Sequence, residues 1–194
     1  MIISVVGLPG SGKSTVAEML KKRKFTVIEM GDLIREKMHE LNEPMTHENV
    51  REFSRKQREK YGKDAVARYM VAKLKKLKSA KTGNIAIMGL RSTYELDYLQ
   101  KRIKGIVIIA VSASLKERFH RLKERHKPED PRTMKEFRWL EQREKQGFMA
   151  QKSEEKHGIM HVIAKADYII LNNTSIKDLG KNLDMTLAYV RKEG

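Results

Sequence analysis

Nine consecutive residues near the amino terminus, Gly7-Leu8-Pro9-Gly10-Ser11-Gly12-Lys13-Ser14-Thr15, carry the spacing G-x-x-x-x-G-K-[ST]. Glycines at 7, 10 and 12 let the backbone curl so that successive N–H groups converge on one point and make a nest for an anion. Lys13 supplies a compact cation for the β and γ phosphates of a nucleotide, and the Ser14 hydroxyl is the type of ligand that helps hold Mg²⁺. The flanks agree with this reading. Ile2-Ile3-Ser4-Val5-Val6 reads as a buried strand, and Ser14 to Arg23 as a helix whose positive end faces the loop. These residues predict binding of a nucleoside triphosphate, ATP with Mg²⁺.

Two more groups of residues have chemistry to offer. Gly31-Asp32-Leu33-Ile34-Arg35 follows a second apolar run directly, and Met88-Gly89-Leu90-Arg91-Ser92 closes a third. Carboxyl ends of strands are where open α/β sheets bind ligands. Arg35 and Arg91 have the planar fork that holds a phosphate by paired hydrogen bonds. Asp32 is placed to cap the following helix.

The elements that must position these groups are legible as alternating patterns. Ile2–Val6, Phe25–Glu29, Asn84–Met88, Ile106–Val111 and Tyr168–Leu171 are short β-branched runs. Between them, sets such as Val66, Tyr69, Met70, Leu74 and Leu77 recur at helical spacing. Strands alternating with helices predict an α/β fold with a five-stranded parallel sheet and helices on both faces. Two stretches exceed a simple crossover. Residues 30 to 83 hold about three helices, and residues 125 to 156 are strongly charged, with a loop and a long helix whose thin apolar stripe fits a movable cover.

With 194 residues the chain suits one domain with a substantial core. It has no cysteine, which removes disulfides, thiolate metal sites and cysteine nucleophiles. No run is long and apolar enough for a membrane span, and no basic-then-apolar leader opens the sequence, so a cytoplasmic enzyme is expected. Forty-one Lys and Arg against 25 Asp and Glu give a net charge of +16, which attracts nucleotides, phosphorylated metabolites or RNA. The basic residues are interleaved with glutamates and few aromatics, a poor platform for single-stranded RNA.

In their order and spacing, the phosphate loop, the Gly31–Arg35 segment and the Gly89–Ser92 segment resemble adenylate kinase-like nucleotide kinases. The resemblance extends to a small archaeal family of adenylate kinase-related and dephospho-coenzyme A kinase-like P-loop proteins, where the ending Ala166-Asp167-Tyr168-Ile169-Ile170-Leu171-Asn172-Asn173 is also familiar. It implies a P-loop fold of the nucleoside monophosphate kinase type, with residues 30–83 as the acceptor-binding insert and residues 125–156 as the lid. Asp32, Arg35, Gly89 and Arg91 then contact the acceptor, Asn172 and Asn173 lie near the donor base, and Lys13, Arg121 and Arg143 stabilise the migrating phosphoryl group. Relatives usually carry an Asp where this chain has Met88, and that carboxylate helps hold Mg²⁺ through water. Asp32 is the candidate to replace it, beside Ser14. The implied reaction is transfer of the γ-phosphoryl group of Mg-ATP to a nucleoside monophosphate or similar small phosphorylated acceptor. The alternatives are a nucleotide-binding sensor with little catalysis, or an RNA-end kinase or RNA-associated ATPase.

Overall fold

The computed structural model describes residues 1–79, 83–127, 130–146 and 158–193. Parts of the predicted lid, residues 128–129 and 147–156, therefore lie outside the described residues. Five strands, β1 (Ile2–Val6), β2 (Thr26–Glu29), β3 (Ile85–Met88), β4 (Val107–Ser112) and β5 (Tyr168–Leu171), fall within a residue of the runs read from the sequence. They form one sheet in the order β2-β3-β1-β4-β5, and every neighbouring pair is parallel.

Because side chains alternate across a strand, each strand serves two cores at once. Ile85 and Ile87 of β3 and Ile108 and Ala110 of β4 face one layer, formed by α2 (Met30–Glu40), α4 (Ala65–Ser79), α5 (Thr93–Arg102) and α8 (Ile159–Ala164). Their neighbours Ala86, Met88, Ile109 and Val111 face the other, formed by α1 (Lys13–Lys22) and α9 (Ile176–Glu193). A strand buried on both faces needs a continuous apolar run, and these are the runs the sequence shows. Met88 is 1% exposed and belongs to the α1/α9 core, so its thioether fills space.

The long stretch between β2 and β3 holds α2, α3 (His47–Tyr61) and α4. Thr46 caps α3 by accepting from the Asn49 N–H at 3.1 Å. α2 starts at Met30, directly after the strand, which corrects the expected cap. Asp32 lies inside the first turn, where its charge suits the helix dipole, and Glu29 is the residue at the cap position.

After β4 come α6 (Leu115–Arg125) and α7 (Met134–Gln146). Ser114 caps α6 through the Glu117 N–H at 3.2 Å. α7 packs on α6 through Phe137, which is fully buried 5.6 Å from Phe119 between ring centroids, and through an ion pair between Glu141 and Arg118. Among the described residues no helix is long and apolar enough to cross a membrane.

Candidate functional site: a phosphate loop facing an arginine-lined cleft

The loop between β1 and α1 is shaped by what surrounds it. Gly10 has φ +77°, and a Cβ there would stand 2.4 Å from the Arg118 carbonyl oxygen. Gly12 has φ +104°, and a Cβ would meet the Asn172 side-chain nitrogen at 2.2 Å. Both positions therefore demand glycine for conformation and for space. Gly12 also gives α1 no side-chain cap, and no acidic residue stands in the first turn. The amides at this helix start thus have no internal acceptor competing with a ligand. The Ser11 hydroxyl is buried without a hydrogen-bond partner, a polar atom that an anion in the loop would satisfy.

Lys13 curls over its own loop. Its Nζ donates to the Gly7 carbonyl at 2.7 Å and the Leu8 carbonyl at 3.0 Å. Burial brings its pKa down from 10.5 to about 8; nearby Arg91 and Arg118 add to the fall, while Glu144 and Glu29 oppose it. The groups that shift Lys13 come from β2, from the segment after β3, from α6 and from α7, so four elements converge on this lysine.

Glu29, the last residue of β2, pairs in register with Met88. Its Oε2 lies 3.2 Å from the point where a Gly89 Cβ would sit. Although Glu29 is exposed, its packing at the sheet edge partly desolvates the carboxylate and pushes its pKa up, Asp32 adds to the rise, and Lys13, Arg91 and Arg35 pull it down. A carboxylate thus stands at the sheet edge beside the phosphate loop, one strand away from Met88. In the sequence Glu29 only closes a strand run, and its position at a strand's carboxyl end is the one signal of a site residue. Asp32, exposed as well, pairs with Arg35.

Arg35, Gly89 and Arg91 line a cleft of about 1160 Å³ that runs from Pro9 of the loop between α3 and α7. Arg91 donates to both carboxylate oxygens of Glu144 at 3.2 and 3.1 Å, which ties the sheet edge to α7. The Arg91 backbone is also fixed. Its N–H donates to Glu95 at 3.0 Å, and the other Glu95 oxygen accepts from Arg58 of α3 at 3.0 Å in a nearly buried pair. Ser92 caps α5 through the Glu95 N–H, so the Ser92-Thr93-Tyr94-Glu95 sequence was a legible helix-start signal. The arginine from α3 was not foreseeable, since nothing local links residues 58 and 95.

Of the predicted lid residues, Arg143 lines the cleft and lies over the Trp139 ring at 4.8 Å. Arg121 lies elsewhere. It donates to the Asn172 carbonyl at 2.8 Å, between α6 and the end of β5. Asn172 is buried, and its side-chain amide donates to the Ser11 carbonyl at 2.8 Å, so it braces the phosphate loop. Asn173 accepts from the Ser114 N–H at 2.7 Å. The Arg118 backbone lies against Gly10 of the loop, its guanidinium reaches Glu141, and Nη1 of both Arg118 and Arg121 is buried without a hydrogen-bond partner.

A sequence model for the AAA domain matches residues 3–149. The UPF0200 protein PF1294 of Pyrococcus furiosus is 37% identical over 192 residues, covering 98% of this chain and 97% of the relative. The chain belongs to the UPF0200 family. Among solved structures, the UPF0200 fold described here is similar to TT1252 from Thermus thermophilus, with a TM-score of 0.61, 23% identity and 97% of each chain covered. It is also similar to the shikimate kinase of Aquifex aeolicus, with a TM-score of 0.53, 16% identity and all of both chains covered. At these identities the likeness carries the fold alone: this UPF0200 chain has a P-loop kinase-like fold.

Proposed function

We propose that this protein transfers the γ-phosphoryl group of ATP to a small phosphorylated acceptor of the nucleoside monophosphate kind. The observation that carries the reading is that Pro9 of the phosphate loop and Arg91 line one arginine-rich cleft, with Glu29 against Gly89 at its edge and the charges of Glu29 and Arg91 both acting on Lys13. The triphosphate lies in the amide cup, and Lys13 exchanges the Gly7 and Leu8 carbonyls for phosphate oxygens. Arg35 and Arg91 take the acceptor phosphate, exchanging Asp32 and Glu144 for it.

The donor set fits Mg²⁺, a hard cation that keeps several waters and takes few protein oxygens. The Ser14 hydroxyl and, through water, the Glu29 carboxylate would hold it, the role first given to Asp32. When bound, Mg²⁺ neutralises charge on the phosphates and orients them. An acceptor phosphate is already ionised near neutral pH, so its attacking oxygen needs no general base. The protein's part is therefore positioning and charge. Arg118, whose backbone lies against Gly10 of the loop, is the α6 cation assigned to the migrating group, ahead of Arg121, which is held by the Asn172 carbonyl, while Arg143 faces the acceptor side.

The test is a transfer screen with γ-labelled ATP over AMP, CMP, UMP, GMP, dephospho-coenzyme A and RNA. Labelled product is expected with a small acceptor, and Glu29→Gln should lower its rate by about a hundredfold or more. Because Glu29 acts ionised and its pKa is raised, activity should fall as pH drops through that raised value. ATP binding with no labelled product from any acceptor would overturn transferase activity in favour of a sensor. Product on RNA alone would move the acceptor to a nucleic-acid end.

A further inference from the structure

The acceptor cleft contains the chain's single tryptophan. Trp139 is 60% exposed, although it sits on the same helix as the fully buried Phe137. Spacing explains the contrast. Phe137 and Glu141 are four residues apart and turn toward α6, whereas Trp139 and Arg143, also four apart, share a different face that opens on the cleft. Of the large exposed apolar side chains among the described residues, Trp139 is the one that lines this cleft. The Arg143 guanidinium covers part of its ring at 4.8 Å, and Arg143 is paired with no carboxylate among the described residues.

An indole face held out of the core contributes little to folding. Set beside a cation in a concave basic site, it can receive a flat ring that carries negative charge elsewhere. Trp139 lines the same cleft as Arg35 and Arg91, so a ligand whose phosphate lies at these arginines can present a ring to the indole.

We infer that Trp139 and Arg143 form a stacking platform for the aromatic ring of the acceptor, which makes the acceptor a ring-bearing phosphate and excludes small sugar phosphates. This rests on the cleft being the acceptor site and adds the residues that recognise the base. Ring stacking tolerates different bases, so Trp139 provides affinity for the class and leaves selection among bases to other contacts.

As the only indole, Trp139 reports on its own surroundings. With Mg²⁺ and a non-hydrolysable ATP analogue already saturating the phosphate loop, AMP, CMP, GMP and UMP are added in turn, with ribose 5-phosphate as the ringless control. At least one nucleotide should quench the emission saturably, and ribose 5-phosphate should not. By calorimetry, Trp139→Ala should bind that nucleotide roughly ten- to a hundredfold more weakly. Trp139→Phe, which keeps a ring face, should stay within about threefold of wild type. Both variants should bind the ATP analogue as wild type does, which shows that they fold. Absence of quenching by all four nucleotides, equal quenching by ribose 5-phosphate, or unchanged nucleotide affinity in Trp139→Ala would overturn the inference. Phosphoryl transfer is not the readout, so the two proposals fail separately. Quenching without transfer leaves the platform standing, and unchanged nucleotide affinity in Trp139→Ala removes the platform alone.

Discussion

Lys13→Met keeps the length of the lysine side chain and removes its charge, and its effect on stability should change sign with pH. In the folded protein the ammonium has a pKa of about 8 against 10.5 in the open chain. At about 1.4 kcal/mol per pH unit, holding it charged costs the fold about 3 kcal/mol. Losing the hydrogen bonds to the Gly7 and Leu8 carbonyls costs the variant about 1 kcal/mol each. Below pH 8 the lysine is protonated in both states and the whole penalty applies, so Lys13→Met should be more stable by about 1 kcal/mol, a Tm gain of roughly 2–4 °C. Between pH 8 and 10.5 the unfolded chain holds the proton that the folded one has released, so wild-type stability gains with rising pH. The penalty fades across that window, and the variant should become the less stable protein by about 2 kcal/mol at its top. Denaturant unfolding of both proteins at pH 7 and pH 10 measures the difference while the shared lysines cancel. Adding Mg-ATP at about a hundred times its Kd should stabilise wild type by about 2.7 kcal/mol and leave the variant unmoved. A stability difference that ignores pH, or an ATP response retained in Lys13→Met, would refute the reasoning.

Three other substitutions probe the packing around the loop. Gly12→Ala should cost about 2 kcal/mol or more, from its left-handed backbone and the clash with the Asn172 amide. Adding Asn172→Ala should recover only part of that loss in chemical denaturation, because the backbone strain remains. Glu141→Gln leaves the buried Arg118 guanidinium without its counter-charge and should cost about 3 kcal/mol, read by urea unfolding. A loss below about 1 kcal/mol would show that α7 does not depend on this pair.

The sheet was open to prediction because its strands are buried on both faces, so runs such as Ile106–Val111 stand out by composition alone. The phosphate loop was equally readable, since its chemistry and its geometry reside in nine adjacent residues. What stayed hidden depends on contacts between distant segments. Glu29 closes a strand, and its role appears only once β2 lies beside β3 and the carboxylate comes up against Gly89. Asn172 matched the family's ending, but that it braces Ser11 follows from β5 lying at the far edge of the sheet. Arg118, Arg121 and Arg143 are alike in sequence, yet Arg118 pairs with Glu141 across the α6–α7 contact, Arg121 with the Asn172 carbonyl at the end of β5, and Arg143 with Trp139 one turn away on its own helix.

Calorimetric titration of Mg-ATP into the protein tests most directly whether the loop from Gly7 to Thr15 grips the phosphates of ATP. One site per chain is expected, with the heat lost in Lys13→Ala. No heat in wild type, or equal heat in the variant, would contradict it.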